Sequence, residues 1–290
     1  MKLKLNYIYI LIAACLWGST GIFINLLSEY GLTTGQLSGI RAGLNAVIIG
    51  LFLLITDKSK LNVKPHDLWV FVGTGLLSFA FFTYCYYTSI KLNGMAVAAV
   101  LLYTAPIFVA IMSAIIFKNK ITLPKTIAII LSVLGCAAVS GLFSQNSSVI
   151  SSIGILAGIG SGLGYALYSI FGKFAIDKKY ESITITFYTF LFASIVAVPQ
   201  ALADKFPKVT VDFKFIFIIL AYVFITGILP YVFYTKGLEK TEPSFASLIA
   251  TLEPVVAALL GMIIFGEILT IPMILGIIMI FISLVIVAVL

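Results

Sequence analysis

Ten long apolar stretches constrain this chain more than any other feature. A helix that crosses a membrane needs about 20 mostly apolar residues, and ten segments meet that requirement with short loops between them. The segments are residues 7–28, 34–55, 67–89, 94–117, 123–142, 150–172, 182–202, 213–236, 243–264 and 270–290. Backbone groups in hydrocarbon must hydrogen-bond within their own segment, so stretches of this length predict helices rather than barrel strands. The sequence therefore predicts an all-α integral membrane protein with ten transmembrane helices.

The composition argues against a soluble protein. Of the 290 residues, 61% are hydrophobic and 10% are charged, whereas soluble domains have about 45–50% apolar and about 25% charged residues. The formal charge of +7 is scattered through short loops. It therefore reports on membrane topology and does not indicate nucleic-acid binding.

The distribution of lysines predicts the orientation. If the N-terminus lies in the cytoplasm, thirteen lysines face inward and four face outward. Cytoplasmic loops of membrane proteins carry the excess of positive charge. We therefore expect a multi-pass protein of the cell membrane (the plasma or inner membrane) with both termini in the cytoplasm.

The two halves of the chain repeat each other. A shift of 148 residues places Tyr86 on Tyr234. The same shift places Pro106 on Pro254, and it matches the Thr-x-Pro pattern that begins at Thr122. We expect one five-helix repeat at residues 1–143 and a second at 150–290. Because five is odd, the second repeat must be inverted relative to the first, which is a common plan for secondary transporters that work by alternating access.

Two charged residues fall clearly inside predicted helices, Arg41 and Glu253. An intramembrane charge costs at least about 2.5–3.5 kcal/mol on insertion scales, so both are candidates for substrate binding or coupling. The alternatives stay open. Glu253 could be a carboxylate paired locally near a helix end, and Arg41 could extend to the interface or pair with Glu29.

Polar aromatic residues on shared helix faces predict a binding cavity. Buried tyrosine hydroxyls need partners, so several that converge indicate a wet or ligand-filled space. The candidate substrate-binding residues are Trp17, Thr20, Tyr84, Tyr87, Tyr103, Tyr165, Tyr168, Tyr231 and Glu253. Pro106 and Pro254 are candidate helix kinks, because proline removes a backbone donor and bends a helix.

Motifs of the common enzyme classes are absent from the sequence. It has no GxxxxGK[ST], no HExxH and no GxSxG motif. One histidine and three dispersed cysteines do not make a metal site. We expect neither catalysis nor a metal nor a cofactor.

The chain resembles the drug/metabolite transporter superfamily, specifically its EamA-type members. Three motifs carry the resemblance: Cys15-Leu16-Trp17-Gly18-Ser19, Tyr103-Thr104-Ala105-Pro106, and Leu252-Glu253-Pro254 running to Phe265-Gly266-Glu267. The resemblance implies a basket of helices 1, 3, 4, 6, 8 and 9 around a central cavity, with helices 5 and 10 at the edge. It places Trp17, Pro106, Glu253, Pro254 and Glu267 on family motif positions. Lys118-Asn119 stands where the first half often has Gly-Glu.

These features favour a secondary transporter of a small polar metabolite, and the resemblance implies export of amino acids or related compounds. One alternative is efflux of organic cations or toxic compounds. A remote alternative is a membrane protein without transport activity. The expected partners are a small-molecule substrate, the lipid bilayer and, as a candidate coupling ion, the proton. The sequence leaves the oligomeric state open and is compatible with a monomer.

Overall fold

The computed structural model describes residues 5–142, 151–203, 205–208 and 211–290, and this part of the chain contains helices and no strands. The predicted junction between the repeats, at residues 143–150, lies outside the described residues. Ten membrane crossings are named here spans 1 to 10. They are Leu5–Ser28, Thr34–Thr56, 65–93, 95–117, Leu123–Val139, Ser152–Asp177, Ser182–Ala203, Phe213–Leu238, Pro243–Phe265 and Ile271–Val289.

Spans 3 and 4 follow each other without a loop. The continuous stretch Pro65–Leu102 has the length of a helix of about 57 Å, almost twice the hydrocarbon thickness of about 30 Å. At Gly94 the backbone leaves the helical region, with φ 81° and ψ 165°. A positive φ suits glycine, which has no Cβ to clash. The chain therefore turns at Gly94 and crosses the membrane twice, which confirms the ten predicted helices.

Spans 3 and 8 contain π-helical turns at equivalent positions of the two repeats. Residues Gly73–Ala80 and Phe224–Ile228 form π-helical turns, and the 148-residue shift carries the second onto the end of the first. Spans 4 and 9 are likewise both interrupted, since new helices begin at Ala105 and at Leu252. These two helices also end alike, at left-handed Lys118 and Gly266. The internal repeat in the sequence is therefore a repeat of structure.

The two halves pack as a pair of inverted repeats. Span 3 packs against span 6, and span 1 packs against span 8 in the equivalent way. Span 2 packs against span 7, and span 5 against span 10, so each of these helices meets its own counterpart. Exchanging the halves leaves this set of contacts unchanged. With five crossings in each half, the second half runs upside down relative to the first.

Small residues bring the paired spans close together. At Gly135 in span 5, an added Cβ would lie 2.8 Å from the carbonyl oxygen of Gly276 in span 10. Gly158 and Gly162 in span 6 face Leu101 and Thr104 at similarly short range. Because no larger side chain fits, these glycines fix the approach of the helices, as small residues do in membrane bundles.

Charged side chains gather on the membrane face that carries both termini, named here the terminal face. It includes the loops at 57–67, 118–122, 178–181 and 239–242. Of the ion pairs between described residues, all lie on this face and three join one half to the other. The three inter-half pairs are Lys60–Glu181, Lys178–Asp67 and Lys125–Glu242. The halves are therefore held together by charge on one side of the membrane.

Candidate functional site

Aromatic rings from spans 1, 6 and 8 meet at the centre of the bundle. Trp17 lies in the last turn of the first helix of span 1, Leu5–Gly18. Its ring lies 5.3 Å from that of Tyr231 and 5.4 Å from that of Tyr234, centroid to centroid. Tyr165 lies 6.1 Å from Trp17, and Tyr168 lies 5.0 Å from Tyr231. Four of these five rings were predicted site residues, and the structure brings them together. We name the five rings the aromatic cluster.

Glu253 lies at the edge of the aromatic cluster. The helix of span 9 restarts at Leu252, so the carboxyl group sits in the first turn of a helix. The positive end of the helix dipole stabilises a carboxylate there. Tyr165 donates a hydrogen bond to Glu253 Oε2 over 3.3 Å. The hydroxyl group of Tyr103 is close enough to interact with the same carboxyl group.

Gly18 makes room for this arrangement. A Cβ at Gly18 would lie 2.8 Å from the carbonyl oxygen of Glu253 and 2.7 Å from the Cβ of Val256. Span 1 therefore touches span 9 at the backbone of Glu253. The residue after Trp17 has to be glycine for this contact to form.

The two predicted kink prolines act as helix starters. Pro106 lies in the first turn of Ala105–Phe117, and Pro254 lies in the first turn of Leu252–Phe265. In a first turn the missing N–H costs nothing, because those donors have no partner within the helix. The interruption falls just before each proline, at Thr104 and at Thr251. Spans 4 and 9 are therefore interrupted close to the two prolines, where the sequence predicts kinks.

One predicted site residue is misplaced. Tyr84 is 62% exposed on the outside of the bundle, where lipid lies, so the face assigned to Tyr84 and Tyr87 was wrong for Tyr84. Tyr86 takes its place, because it stacks on Phe82 at 5.6 Å and Phe82 contacts Tyr165 at 6.0 Å. The internal repeat could have identified Tyr86 as a site residue, since the 148-residue shift aligns Tyr86 with Tyr234.

Two other predicted residues lie beside the aromatic cluster. Tyr87 contacts the ring of Tyr86 at 6.4 Å and interacts with Arg41. Thr20 is half-buried at the first position of the second helix in span 1. Among the described residues, Thr20 is not one of those that line the central cavity.

Arg41 points into the bundle from span 2. Its side chain is 9% exposed, and its guanidinium carbon lies 5.2 Å from the ring centre of Phe79 and 6.0 Å from that of Tyr222. It interacts electrostatically with Glu253. None of the ion pairs between described residues pairs Arg41 with Glu29. The alternative in which Arg41 pairs with Glu29 was therefore wrong.

Two side-chain hydrogen bonds close the site toward the terminal face. Tyr168 is bonded to Thr235 at 2.8 Å, and Ser169 is bonded to Tyr234 at 2.6 Å. Each bond joins span 6 to span 8. The prediction missed Ser169 and Thr235, because single hydroxyl residues in apolar helices usually bond to their own backbone.

The cavity at the aromatic cluster is small. It has a volume of about 20 Å³, which holds about one water molecule. Its lining residues are Trp17, Ser78, Phe79, Phe82, Tyr165, Tyr168, Ser169, Tyr231 and Tyr234. A metabolite enters only when these side chains separate. The predicted residues converge, but the open chamber that we expected between them is almost closed.

The side chains around Glu253 are less buried than those in the rest of the site. Trp17, Tyr168 and Tyr231 are buried, whereas Tyr165 and Glu253 remain half-buried. Tyr86 and Tyr87 are half-buried too, and they lie toward the end of span 3 that is away from the terminal face. No group of His, Cys, Asp and Glu that could hold a metal ion occurs among the described residues.

Comparisons with known proteins agree with this architecture. A profile of the EamA-like transporter family matches residues 4–141 and 152–289. An uncharacterized transporter of Archaeoglobus fulgidus is 34% identical over 181 residues, which span 62% of this chain and 63% of that protein. The uncharacterized transporter YwfM of Bacillus subtilis is 26% identical over 93% of this chain and 89% of its own length.

A solved crystal structure shares the fold. It superposes with a TM-score of 0.78 at 16% identity, covering 97% of this chain and 95% of that chain. The two family matches fall on the two five-helix halves. This multi-pass membrane protein therefore belongs to the EamA-like transporter family.

Proposed function

We propose that this protein is a secondary transporter that exports amino acids or closely related small polar metabolites. The observation that carries the proposal is the Glu253 carboxyl group, held by Tyr165 at the edge of the aromatic cluster. Spans 1 and 8 also supply rings to the cluster, so the site lies between the two halves. A site between inverted repeats is where alternating access exposes a substrate to each side in turn.

The chemistry of the site suits an ammonium group. A carboxylate attracts the charge, and the faces of Trp17, Tyr165 and Tyr231 attract a cation through their ring quadrupoles. The Arg41 guanidinium lies 5.2 Å from the ring of Phe79, which in turn contacts Tyr231 of the aromatic cluster. A zwitterion therefore fits the site better than a simple anion or an apolar molecule.

Alternating access requires a closed face and an opening face. The three inter-half ion pairs and the bonds Tyr168–Thr235 and Ser169–Tyr234 all lie toward the terminal face. The half-buried residues around Glu253 lie toward the other face. We infer that the described state is closed on the terminal face, which the lysine distribution assigns to the cytoplasm.

Efflux of organic cations is the second candidate. The observation in its favour is the same pairing of Glu253 with aromatic faces, which also binds cations without a carboxylate. Proton coupling through Glu253 and diffusion down the metabolite's own gradient are the two candidate energy sources. The chain encodes no recognisable motif for nucleotide hydrolysis.

Proteoliposomes test the proposal. Vesicles that contain the purified protein are loaded with a panel of radiolabelled amino acids and, separately, with labelled tetraphenylphosphonium. We expect efflux of at least one amino acid above that of empty vesicles, and a marked fall of that efflux in Glu253→Gln. Glu29→Gln is the matched control, because Glu29 is exposed in a loop. Efflux of the organic cation alone would favour the second candidate, and efflux of neither would contradict the proposal.

A further inference from the structure

Span 2 presents a row of buried polar residues to the centre of the bundle. Ser38, Arg41 and Asn45 occur at helical positions i, i+3 and i+7, so they share one face. Their exposed fractions are 2%, 9% and 0%. Each has a buried polar atom without a hydrogen-bond partner among the described residues: Ser38 Oγ, Arg41 Nε, and the Oδ1 and Nδ2 atoms of Asn45. Unsatisfied groups of this kind are rare in folded proteins.

The equivalent face in the second half of the molecule has hydroxyl groups that are all hydrogen-bonded. The 148-residue shift carries Ser38 to Thr186 and Arg41 to Thr189. Thr186 donates to the carbonyl oxygen of Ser182 at 2.8 Å. Thr189 lies 2.8 Å from the hydroxyl oxygen of Thr74 in span 3 and donates to the carbonyl oxygen of Ile185.

The equivalent face is therefore neutral and satisfied. Asn45 is matched by Ala193, which has no polar side chain. Thr74 itself is matched by Tyr222, so the Thr189–Thr74 contact and the Arg41–Tyr222 contact occupy related places in the two halves. The fold packs span 7 on span 3 without a charge. The related packing of span 2 on span 8 therefore does not require a charge either. Helix packing alone does not explain why a charged residue stands at position 41.

No acidic side chain among the described residues forms an ion pair with Arg41. Its guanidinium carbon faces the rings of Phe79 and Tyr222. Tyr87 lies next to Ser38 and to Arg41, although Ser38 Oγ has no partner at hydrogen-bond distance. Glu253 is an electrostatic neighbour, but no ion pair between them occurs among the described residues. A guanidinium that has an unpaired N–H donor and lies beside two hydroxyl groups can bind an oxyanion such as a carboxylate.

We infer that Ser38, Arg41 and Tyr87 form an anion subsite that binds the carboxylate of the transported molecule. The inference rests on the proposed function, and it adds the feature that separates amino acids from amines. The Arg41 guanidinium takes the carboxylate, with the hydroxyl groups of Ser38 and Tyr87 as further donors. Glu253 and the aromatic cluster take the ammonium group. A substrate without a carboxylate leaves the Arg41 charge unpaired inside the membrane and therefore binds weakly.

A fluorescence titration tests the anion subsite directly. The chain has two tryptophans, and Trp69 contacts Phe171 and Phe174 away from the cluster. In Trp69→Phe, Trp17 is the one remaining tryptophan and reports on the site. The probes are two matched pairs, L-leucine with L-leucinamide and L-phenylalanine with L-phenylalaninamide. Each amide keeps the side chain and the ammonium group and lacks the carboxylate.

We expect the acid of at least one pair to bind about 10-fold more tightly than its amide, since a charge-assisted pair of this kind is worth at least about 1.4 kcal/mol. Arg41→Gln, in the same background, should weaken the acid about 10-fold and change the amide less than about 3-fold. Lys91→Gln is the matched control, because it removes one positive charge from an exposed position. It should leave both affinities unchanged.

The outcomes separate the subsite from the proposed function. Equal affinity of acid and amide in the Trp69→Phe protein overturns the subsite and leaves amino-acid transport standing. Binding of the amides alone overturns the subsite and favours organic cations. Binding of no probe counts against both proposals. If Arg41→Gln does not yield a monodisperse protein, the comparison of acid with amide still decides, and Arg41→Lys supplies the variant that keeps the charge and loses the planar fork.

Discussion

Tyr165 and Glu253 are joined by a hydrogen bond of 3.3 Å, which connects the unbroken helix of span 6 to the restarted helix of span 9. The bond fixes the carboxyl group at the edge of the aromatic cluster. Tyr165→Phe keeps the ring and removes the donor. Because hydrogen bonds to charged groups contribute about 1.5–3 kcal/mol, we expect the rate of substrate efflux to fall about 10-fold or more. Initial rates of efflux from proteoliposomes measure this effect.

The matched control for this substitution is Tyr84→Phe, which removes the same hydroxyl group from a lipid-facing residue. Its efflux rate should stay within about 2-fold of the unaltered protein, as surface substitutions usually change energies by less than about 0.5 kcal/mol. Equal losses in the two variants would contradict a role for the Tyr165–Glu253 bond.

A second prediction concerns coupling at Glu253. If its carboxyl group exchanges a proton in each transport cycle, a pH gradient of about one unit supplies about 1.4 kcal/mol per proton and drives about 10-fold accumulation of substrate. Glu253→Gln keeps the size of the side chain and cannot exchange a proton. We expect residual transport by this variant to be independent of the gradient. The measurement is substrate efflux with and without an imposed gradient, and an unchanged response in Glu253→Gln would remove the coupling role.

The positions of the helices were predictable from the sequence because the bilayer allows few structures other than apolar helices of spanning length. The predicted helix ends lie within a few residues of the observed ones, since apolar runs of spanning length leave few choices. The prolines predicted interruptions in spans 4 and 9.

The site was harder to predict than the fold. Tyr84 and Tyr86 are two residues apart on an apolar helix, and composition alone does not say which face meets lipid. The row that includes Ser38 and Asn45 escaped notice because its meaning depends on contacts with spans 3 and 8.

A third prediction concerns the close contact of spans 5 and 10. In Gly135→Ala, the new Cβ would lie 2.8 Å from the carbonyl oxygen of Gly276 and 2.8 Å from Ile280 Cγ1. Overpacking of this kind typically costs about 1–3 kcal/mol, so the thermal transition of the purified protein should fall by several degrees. Gly21→Ala is the control, because nothing lies within 4 Å of its added Cβ. A helix gains about 1 kcal/mol from this control substitution, so its transition should stay or rise.

A fourth prediction concerns topology. The lysine count predicts that both termini lie in the cytoplasm. A fluorescent protein that matures only in the cytoplasm should therefore be bright when fused after Leu290, and a phosphatase that is active only outside should be inactive there. The same two reporters inserted after Gly94, where the chain turns on the opposite face, should give the reverse result. Matching signals at the two positions would contradict the predicted orientation.

The last prediction concerns the closed terminal face. If the inter-half ion pairs hold this face shut, the double substitution Lys60→Ala and Lys178→Ala should open it more often. Each pair is partly exposed and contributes at most about 1 kcal/mol, so we expect the exposure of the central cavity to rise about 3- to 10-fold. Ser78 lines that cavity and is buried, which makes Ser78→Cys a suitable reporter.

The reporter is placed in a chain whose three native cysteines are replaced by alanine, and its rate of labelling by a membrane-impermeant thiol reagent is measured from the terminal face. The matched control is Lys173→Ala, which breaks the Lys173–Asp177 pair within one half and should leave the rate unchanged. Faster labelling in the double variant alone means that charge pairing between the halves sets how often this face opens. If the double variant labels no faster than the control, the closed state depends instead on contacts that the double substitution leaves intact, namely the Lys125–Glu242 pair and the bonds of Tyr168 and Ser169 to span 8.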